Sequence, residues 1–302
     1  MASTTHTVKI AIIGGSGLYS LDGFQQLDTI RPQTPWGLPS DNIIVSLSPE
    51  GHKIAFLARH GSGHQFNPSE IPVRANIAAL KSLGVEVILA FSAVGSLREE
   101  IRPADFVLPS QIIDRTKGFR ENTFFEKGVT AHAGFADPFH SKLADLIYAH
   151  TKDALTLGSS WHKDKTLVCM EGPAFSTRAE SHLYRSWNCD IINMSVIPEA
   201  KLAREAEIAY QMICMSTDYD CWRESEEPVS VQAVMATMAQ NSSNAKKALS
   251  FILPAIEEAL KEASFLEDIK GSMKFSIMSR PTEQNAAARD NLAFLFPEYF
   301  KE

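Results

Sequence analysis

The feature that most constrains this chain is where its apolar runs stop. Residues 8–13, 53–57, 85–91, 190–194 and 208–215 are short apolar stretches. Each ends in a polar or glycine-rich cluster: Gly14-Gly15-Ser16, Arg59-His60-Gly61, Ser92-Ala93, Met194-Ser195 and Thr217-Asp218-Tyr219-Asp220. Such runs read as buried strands. Residues 42–47 pair with 53–57 as a hairpin around Ser48-Pro49-Glu50-Gly51, and 166–170 read as a further strand. Residues 106–108 and 111–113 read as two short strands parted by Pro109. Helical patterns fall between them at 75–84, ending on Gly84, and at 138–152, 178–187 and 198–207. Residues 116–137 read as a loop, and the chain after Pro228 as mostly helical, interrupted at Pro254. Strands alternating with helices argue an α/β fold, a parallel or mixed sheet covered on both faces. In such sheets ligands bind beyond the carboxyl ends of the strands. Five polar strand ends on one edge make a single composite site.

Composition narrows what that site addresses. The 302 residues hold 36 Asp+Glu against 29 Lys+Arg, a net charge of −7, which argues against nucleic acid as partner. The four cysteines, Cys169, Cys189, Cys214 and Cys221, form no C-x-x-C pair, so neither a disulfide scaffold nor a zinc ribbon is expected. Residues 1–7 are polar, and no run of 18 apolar residues offers a membrane span. The expected location is the cytoplasm, with the nucleus also open to it.

The glycine loop comes first. Gly15-Ser16-Gly17-Leu18-Tyr19 continues to Ser20, so the third glycine of a dinucleotide fingerprint is missing, and no Lys-Ser or Lys-Thr follows as in a Walker loop. What remains is exposed backbone N–H and the Ser16 hydroxyl, suited to one phosphate or to a plain turn. Arg59 and His60 leave a strand end with a bidentate donor and a second donor, either for a phosphate shared with Ser16 and Ser195 or for a nearby carboxylate. His60 and His64 are four apart, but Gly61 and Gly63 argue against a helix that would aim them at a metal. Asp218 and Asp220 repel a phosphate, so they address another part of a substrate or stand as a solvated turn. A 6-aminopurine fits them: one carboxylate accepts from N6, and a protonated one donates to N7. Holding a proton near neutrality moves an Asp up from ~3.9, at a cost of roughly 4 kcal/mol, which desolvation by neighbours such as Met215 and Trp222 would supply.

The combination of Gly14-Gly15-Ser16-Gly17-Leu18, Ala58-Arg59-His60-Gly61, Gly95-Ser96-Leu97-Arg98, Glu171-Gly172-Pro173, Phe175-Ser176, Asn193-Met194-Ser195, Pro198-Glu199 and Thr217-Asp218-Tyr219-Asp220 resembles the trimeric purine nucleoside phosphorylases, in their methylthioadenosine-cleaving branch. The resemblance implies a nucleoside phosphorylase-like three-layer sandwich around a mixed β-sheet, in a homotrimer. It implies one domain over residues 1–265, with 266–302 as an extension of unread role. It implies a phosphate site from Ser16, Arg59, His60, Ser92, the backbone of Ala93, and Ser195. Met194 would lie under the ribose and Phe175 against the adenine, with Tyr219 beside it, while Asp218 handles N7 and Asp220 reads N6. Ser176, Val231 and His64 would set specificity, and His132 would reach into a neighbouring subunit's site. Ser16 and Ser195 stand where many relatives carry threonine, a change that keeps the hydroxyl.

The activity so implied is a pentosyl transfer in methionine and purine salvage. Phosphate, as co-substrate and with no other cofactor or metal, cleaves S-methyl-5′-thioadenosine to adenine and S-methyl-5-thioribose 1-phosphate. Two alternatives share the sequence. A 6-oxopurine nucleoside phosphorylase would keep the phosphate site, but its base carbonyl is repelled by an ionised carboxylate. A non-catalytic nucleoside- or anion-binding module would keep the glycine loop and Arg59, with no need of paired aspartates. Asp218→Asn is expected to lower adenine release by about 10²–10⁴-fold while phosphate binding survives. Single-turnover assays with bound-phosphate measurement check this, and an unchanged rate rejects the role given to Asp218.

Overall fold

The computed structural model describes residues 7–18, 21, 23–155, 158–223 and 231–300. Residues 1–6, Tyr19, Ser20 and Pro228, used in the sequence reading, lie outside that set. Among the described residues nine strands form one mixed sheet: β1 (Ile10–Gly14), β2 (Gln25–Ile30), β3 (Ile43–Leu47), β4 (Lys53–Ala58), β5 (Val87–Ser96), β6 (Phe106–Arg115), β7 (Trp161–Met170), β8 (Ile191–Asn193) and β9 (Ala209–Asp218). Their order is β2-β3-β4-β1-β5-β8-β7-β6-β9, and a further parallel pairing of β5 with β9 closes the last five strands into a ring. β1 runs parallel to both β4 and β5, so the ends of all three open on the same edge.

The sheet is buried on both faces, and β1 shows how. Ala11 and Ile13 enter one apolar cluster, Ile10 and Ile12 the other, as the two-residue period of a strand requires. Helices α1 (Val73–Ser82) and α4 (Val196–Glu205) cover the first face through Ile77, Leu80, Ala200 and Ala203. Helices α2 (Ser141–Thr151) and α5 (Val231–Ala259) cover the second through Leu143, Ile147, Leu249 and Ile252. Helix α3 (Arg178–Ser186) opens on a capping box, Thr177 with Glu180, and caps a small cluster around Tyr184 and Ile192. No helix among the described residues is long and apolar enough to cross a membrane.

Three expectations change. The two short strands around Pro109 are one strand, β6, whose register with β7 shifts on either side of Pro109. A bulge lets a residue without N–H sit inside a ladder. Pro254 does not interrupt α5. Its missing backbone bond costs about 3 kcal/mol, and the burial of Leu249, Ile252, Leu253 and Ile256 around it offsets that loss. Strand β2 went unread because its sequence, QQLDTI, is polar and half-exposed, as suits an edge strand.

Residues 266–300 pack into both core clusters. Leu266 and Ile269 join the second; Met273, Leu292, Leu295 and Phe296 join the first, together with the short helices α6 (Ala286–Leu292) and α7 (Pro297–Phe300). Glu207, just past α4, holds this segment down: it accepts from the backbone N–H of Gly271 (2.8 Å) and Met273 (2.7 Å) and from the Tyr299 hydroxyl (3.1 Å). Glu207→Ala is therefore expected to destabilise the protein by about 3 kcal/mol, since it strips a charged acceptor from three donors. Urea denaturation, with limited proteolysis between 266 and 300, checks this; an unmoved midpoint contradicts it.

Candidate functional site

Four of the expected strand ends meet around one cavity of about 660 Å³, and Ser92-Ala93, expected as a fifth end, lie inside β5, which runs on to Ser96. Ser16, Arg59, His60, Ser92, Ala93, Met194, Ser195, Asp218 and Asp220 line it, as do Phe175, Ser176, His64 and Val231. Backbone proximity at its floor explains the glycine loop. A Cβ at Gly15 would sit 2.5 Å from the carbonyl oxygen of Phe91 and 2.6 Å from Arg59 Nη1, so only glycine lets β1 end against β5.

Arg59 is fully buried at the end of β4, and its backbone N–H donates to Gly14 O. Its side chain donates from Nε to Glu199 Oε2 (2.7 Å), from Nη2 to Glu199 Oε1 (2.9 Å) and from Nη1 to Phe91 O (2.8 Å). Tyr210 Oη donates to the same Glu199 at 2.7 Å. Both readings of Arg59 thus coexist: it is clamped by a carboxylate, and two of its five N–H groups stay outside these bonds. Glu199 was quoted in the sequence motif without a role, and its place on α4 gave no sign of the contact. His60 changes more. Its Nδ1 lies 2.8 Å from Phe66 O, a group that only accepts, so Nδ1 carries the proton. Burial, and then the neighbouring Arg59 charge, lower His60 to about 4, so the ring is neutral and Nε2 is an acceptor. Of the two donors expected at Arg59-His60, His60 Nε2 is instead an acceptor, and this end of the cavity is nearly neutral. The Arg59 charge is matched by Glu199, and His60 carries none. His60 can meet a phosphate only through a protonated phosphate oxygen.

At the other end of the cavity, β9 delivers the two aspartates. Asp218 Oδ2 accepts from Thr217 Oγ1 (2.7 Å) and Oδ1 from the backbone N–H of Asp220 (2.8 Å). Asp220 Oδ2 accepts from Ser181 Oγ at 2.5 Å. Burial, with the Asp218 charge adding to it, pushes Asp220 up to about 6. Asp220 is thus a carboxyl whose hold on a proton is raised; neither Met215 nor Trp222, expected to desolvate an aspartate here, lines the cavity. Tyr219 also does not line it. Its ring packs edge-on against Trp222 and its hydroxyl donates to Glu99 O.

The third wall is apolar. Val231, Val234, Met235 and Met238 of α5 face the cavity, with Phe175, Met170 and Pro173 opposite. Only Val231 and Phe175 were read from the sequence. The spacing of 231, 234, 235 and 238 is one helix face, so helical periodicity held the signal for the other α5 residues. His64, at a φ of 50°, stacks its ring on His60 with centroids 4.5 Å apart. His132 is exposed and outside this cavity; its N–H donates to Ser276 O, and Ala131 bridges to Ile277. Its expected place is a neighbouring copy's site. The cavity thus has a hydroxyl-and-arginine end, a carboxylate end and an apolar wall, matched to an anion, a base and a small apolar group.

The family model described as the phosphorylase superfamily matches residues 9–254. The chain belongs to the phosphorylase superfamily. Within it the chain falls among the S-methyl-5′-thioadenosine phosphorylases. The relative of that name from Yarrowia lipolytica is 52% identical, across 99% of this chain and 95% of its own. The one from Schizosaccharomyces pombe is 53% identical, across 98% of each. Among solved structures, a methylthioadenosine phosphorylase from an antarctic soil metagenomic library superposes with a TM-score of 0.88 at 41% identity, covering 96% of this chain and 99% of that one. The Schistosoma mansoni methylthioadenosine phosphorylase in complex with adenine gives 0.84 at 33% identity, covering 90% and 100%. The mixed sheet between helical layers, expected from the resemblance, is the fold of these neighbours.

The neutral state of His60 has a measurable cost. The unfolded chain takes up a proton at about 6.5 and the folded one at about 4, so the unfolded state binds more protons in between. Stability is therefore lost as pH falls from 6.5 towards 4, by up to about 3 kcal/mol. His60→Asn should lose less stability than the wild type over that window, as read by denaturant melts at each pH. Parallel pH profiles would contradict the buried neutral ring.

Proposed function

We propose that the chain catalyses phosphorolysis of S-methyl-5′-thioadenosine to adenine and S-methyl-5-thio-α-D-ribose 1-phosphate, as a homotrimer in the cytoplasm. The observation that carries the reading is the convergence of Asp218 and Asp220 with Ser16, Arg59 and Ser195 on one cavity walled by α5. Near-full-length relatives of that name support the substrate, and the four free cysteines suit a reducing compartment.

The chemistry follows the cavity's three parts. Phosphate is held by the hydroxyls of Ser16, Ser92 and Ser195, the Ala93 backbone and the remaining N–H groups of Arg59. Its P–OH donates to His60 Nε2, which leaves unprotonated oxygens to face the sugar. As the glycosidic bond lengthens, the ribose gains oxocarbenium character and the phosphate dianion stabilises it. Met194 supports the sugar, and Phe175 packs against the base. Adenine leaves with its N7 addressed by Asp218 and its N6 amino group by Asp220. Burial keeps Asp220 near 6, so the pair gains and loses a proton close to neutrality. The methylthio group lies against Val231, Val234 and Met235. His132 completes the site from a neighbouring copy. No metal or organic cofactor enters the reaction.

The deciding assay follows free base from methylthioadenosine, adenosine and inosine, with and without phosphate. Methylthioadenosine with phosphate should react best. Base released equally without phosphate would make the protein a hydrolase, and a preference for inosine would overturn the aminopurine reading.

A further inference from the structure

Arg120 and Glu171 form a second buried ion pair that the reaction as derived does not use. Their side chains are 4% and 7% exposed, and neither lines the substrate cavity. Arg120 lies in the 116–137 loop, a stretch otherwise short of regular structure. Its Nε donates to Glu171 Oε1 and its Nη2 to the Glu171 carbonyl. Its Nη1 donates to two carbonyls, Met194 O and Ile197 O, each at 2.7 Å. Four of the five guanidinium N–H groups are thereby engaged. Glu171 is as fully used: Oε1 also accepts from Ser69 Oγ (2.8 Å), and Oε2 accepts from the Lys117 backbone N–H.

The partners belong to three separate walls of the cavity. Ser69 sits between lining residues Pro68 and Glu70; Glu171 follows Met170 and precedes Pro173; Met194 lines the cavity itself. The last two walls touch closely: a Cβ on Gly172 would lie 2.4 Å from Met194 Sδ, and Gly172 has a φ of +68°. A buried pair that served only stability gains little over apolar packing. This one spends its hydrogen bonds on segments 69, 117, 171 and 194–197, far apart in sequence.

We propose that Arg120 and Glu171 are positioning residues for the nucleoside: the pair locks the 67–70, 170–175 and 194 walls in register, so that Met194 and Phe175 meet ribose and base without rearrangement. The inference rests on the proposed reaction for its substrate but not for its geometry. The tie holds Met194 O and Ile197 O on either side of Ser195, but the phosphate end keeps two anchors outside it, Arg59 on Glu199 and His60 on Phe66 O.

The test is Arg120→Lys, which keeps the charge and loses the planar fork, alongside Glu171→Gln. Both should raise KM for methylthioadenosine by about tenfold and weaken adenine affinity comparably, while KM for phosphate moves less than about threefold. Should either variant fail to yield soluble protein, Ser69→Ala trims one bond of the tie and should raise the nucleoside KM by about threefold. A folded variant with a lowered Tm but nucleoside KM and adenine affinity at the wild-type level overturns the proposal, as does a phosphate KM that rises as far as the nucleoside KM. Adenine affinity by calorimetry is read in the same proteins. A wild type without methylthioadenosine turnover would therefore reject the proposed reaction, while the tie would still stand or fall on binding.

Discussion

The site hangs on the buried pair of Arg59 and Glu199. It gathers the end of β4, the carbonyl of Phe91 in β5, the body of α4 and, through Tyr210, strand β9. Removing one partner of such a pair typically costs about 3–5 kcal/mol, because the other charge is left buried and alone. The pair therefore joins architecture to chemistry. The same bonds that hold four elements together orient the guanidinium at the cavity floor. They also cancel its charge, so this end of the cavity presents aimed N–H and O–H groups instead of a positive field. An acidic protein can hold an anion this way without a basic surface.

Much of this was legible in the residues. Polar clusters at 14–16, 59–61 and 217–220 announced strand ends that share an edge because β1, β4, β5 and β9 run parallel, whereas 194–195 reach the cavity from β8, antiparallel to β5. The paired aspartates were legible as cavity residues because they stand at the end of an apolar strand. What stayed hidden depends on tertiary contact. His60 becomes an acceptor only because Phe66 O lies within reach of its Nδ1. Asp220 is raised because the turn buries its side chain. Tyr219 shares its tripeptide with two cavity residues and yet turns away, since neighbours in a turn point in different directions. The Arg120–Glu171 tie joins residues 51 apart, and no local pattern marks it.

The ring closed by β5 and β9 explains why one compact cavity reads three chemistries. Strand β5 passes through the centre of the sheet, bonded to β1, β8 and β9 along its length. Its residues Ser92, Ala93, Val94 and Gly95 all line the cavity. Gly95 is close to both aspartates: a Cβ there would lie 3.2 Å from Asp218 Oδ1 and 3.3 Å from Asp220 Cβ. A single strand therefore borders the hydroxyl end of the cavity at Ser92 and the carboxylate end at Gly95, which fixes the distance between them.

The clamp of Glu207 on Gly271, Met273 and Tyr299 sets where this protein ends as a physical object. The family signature stops at residue 254, but apolar side chains from 265 to 300 fill the same interior as the strands. Residues 265–300 thus belong to the same packed body as the stretch that the family model matches, and the relatives align across both. A truncation after residue 254 would cut through the core and leave the Glu207 carboxylate without its three donors.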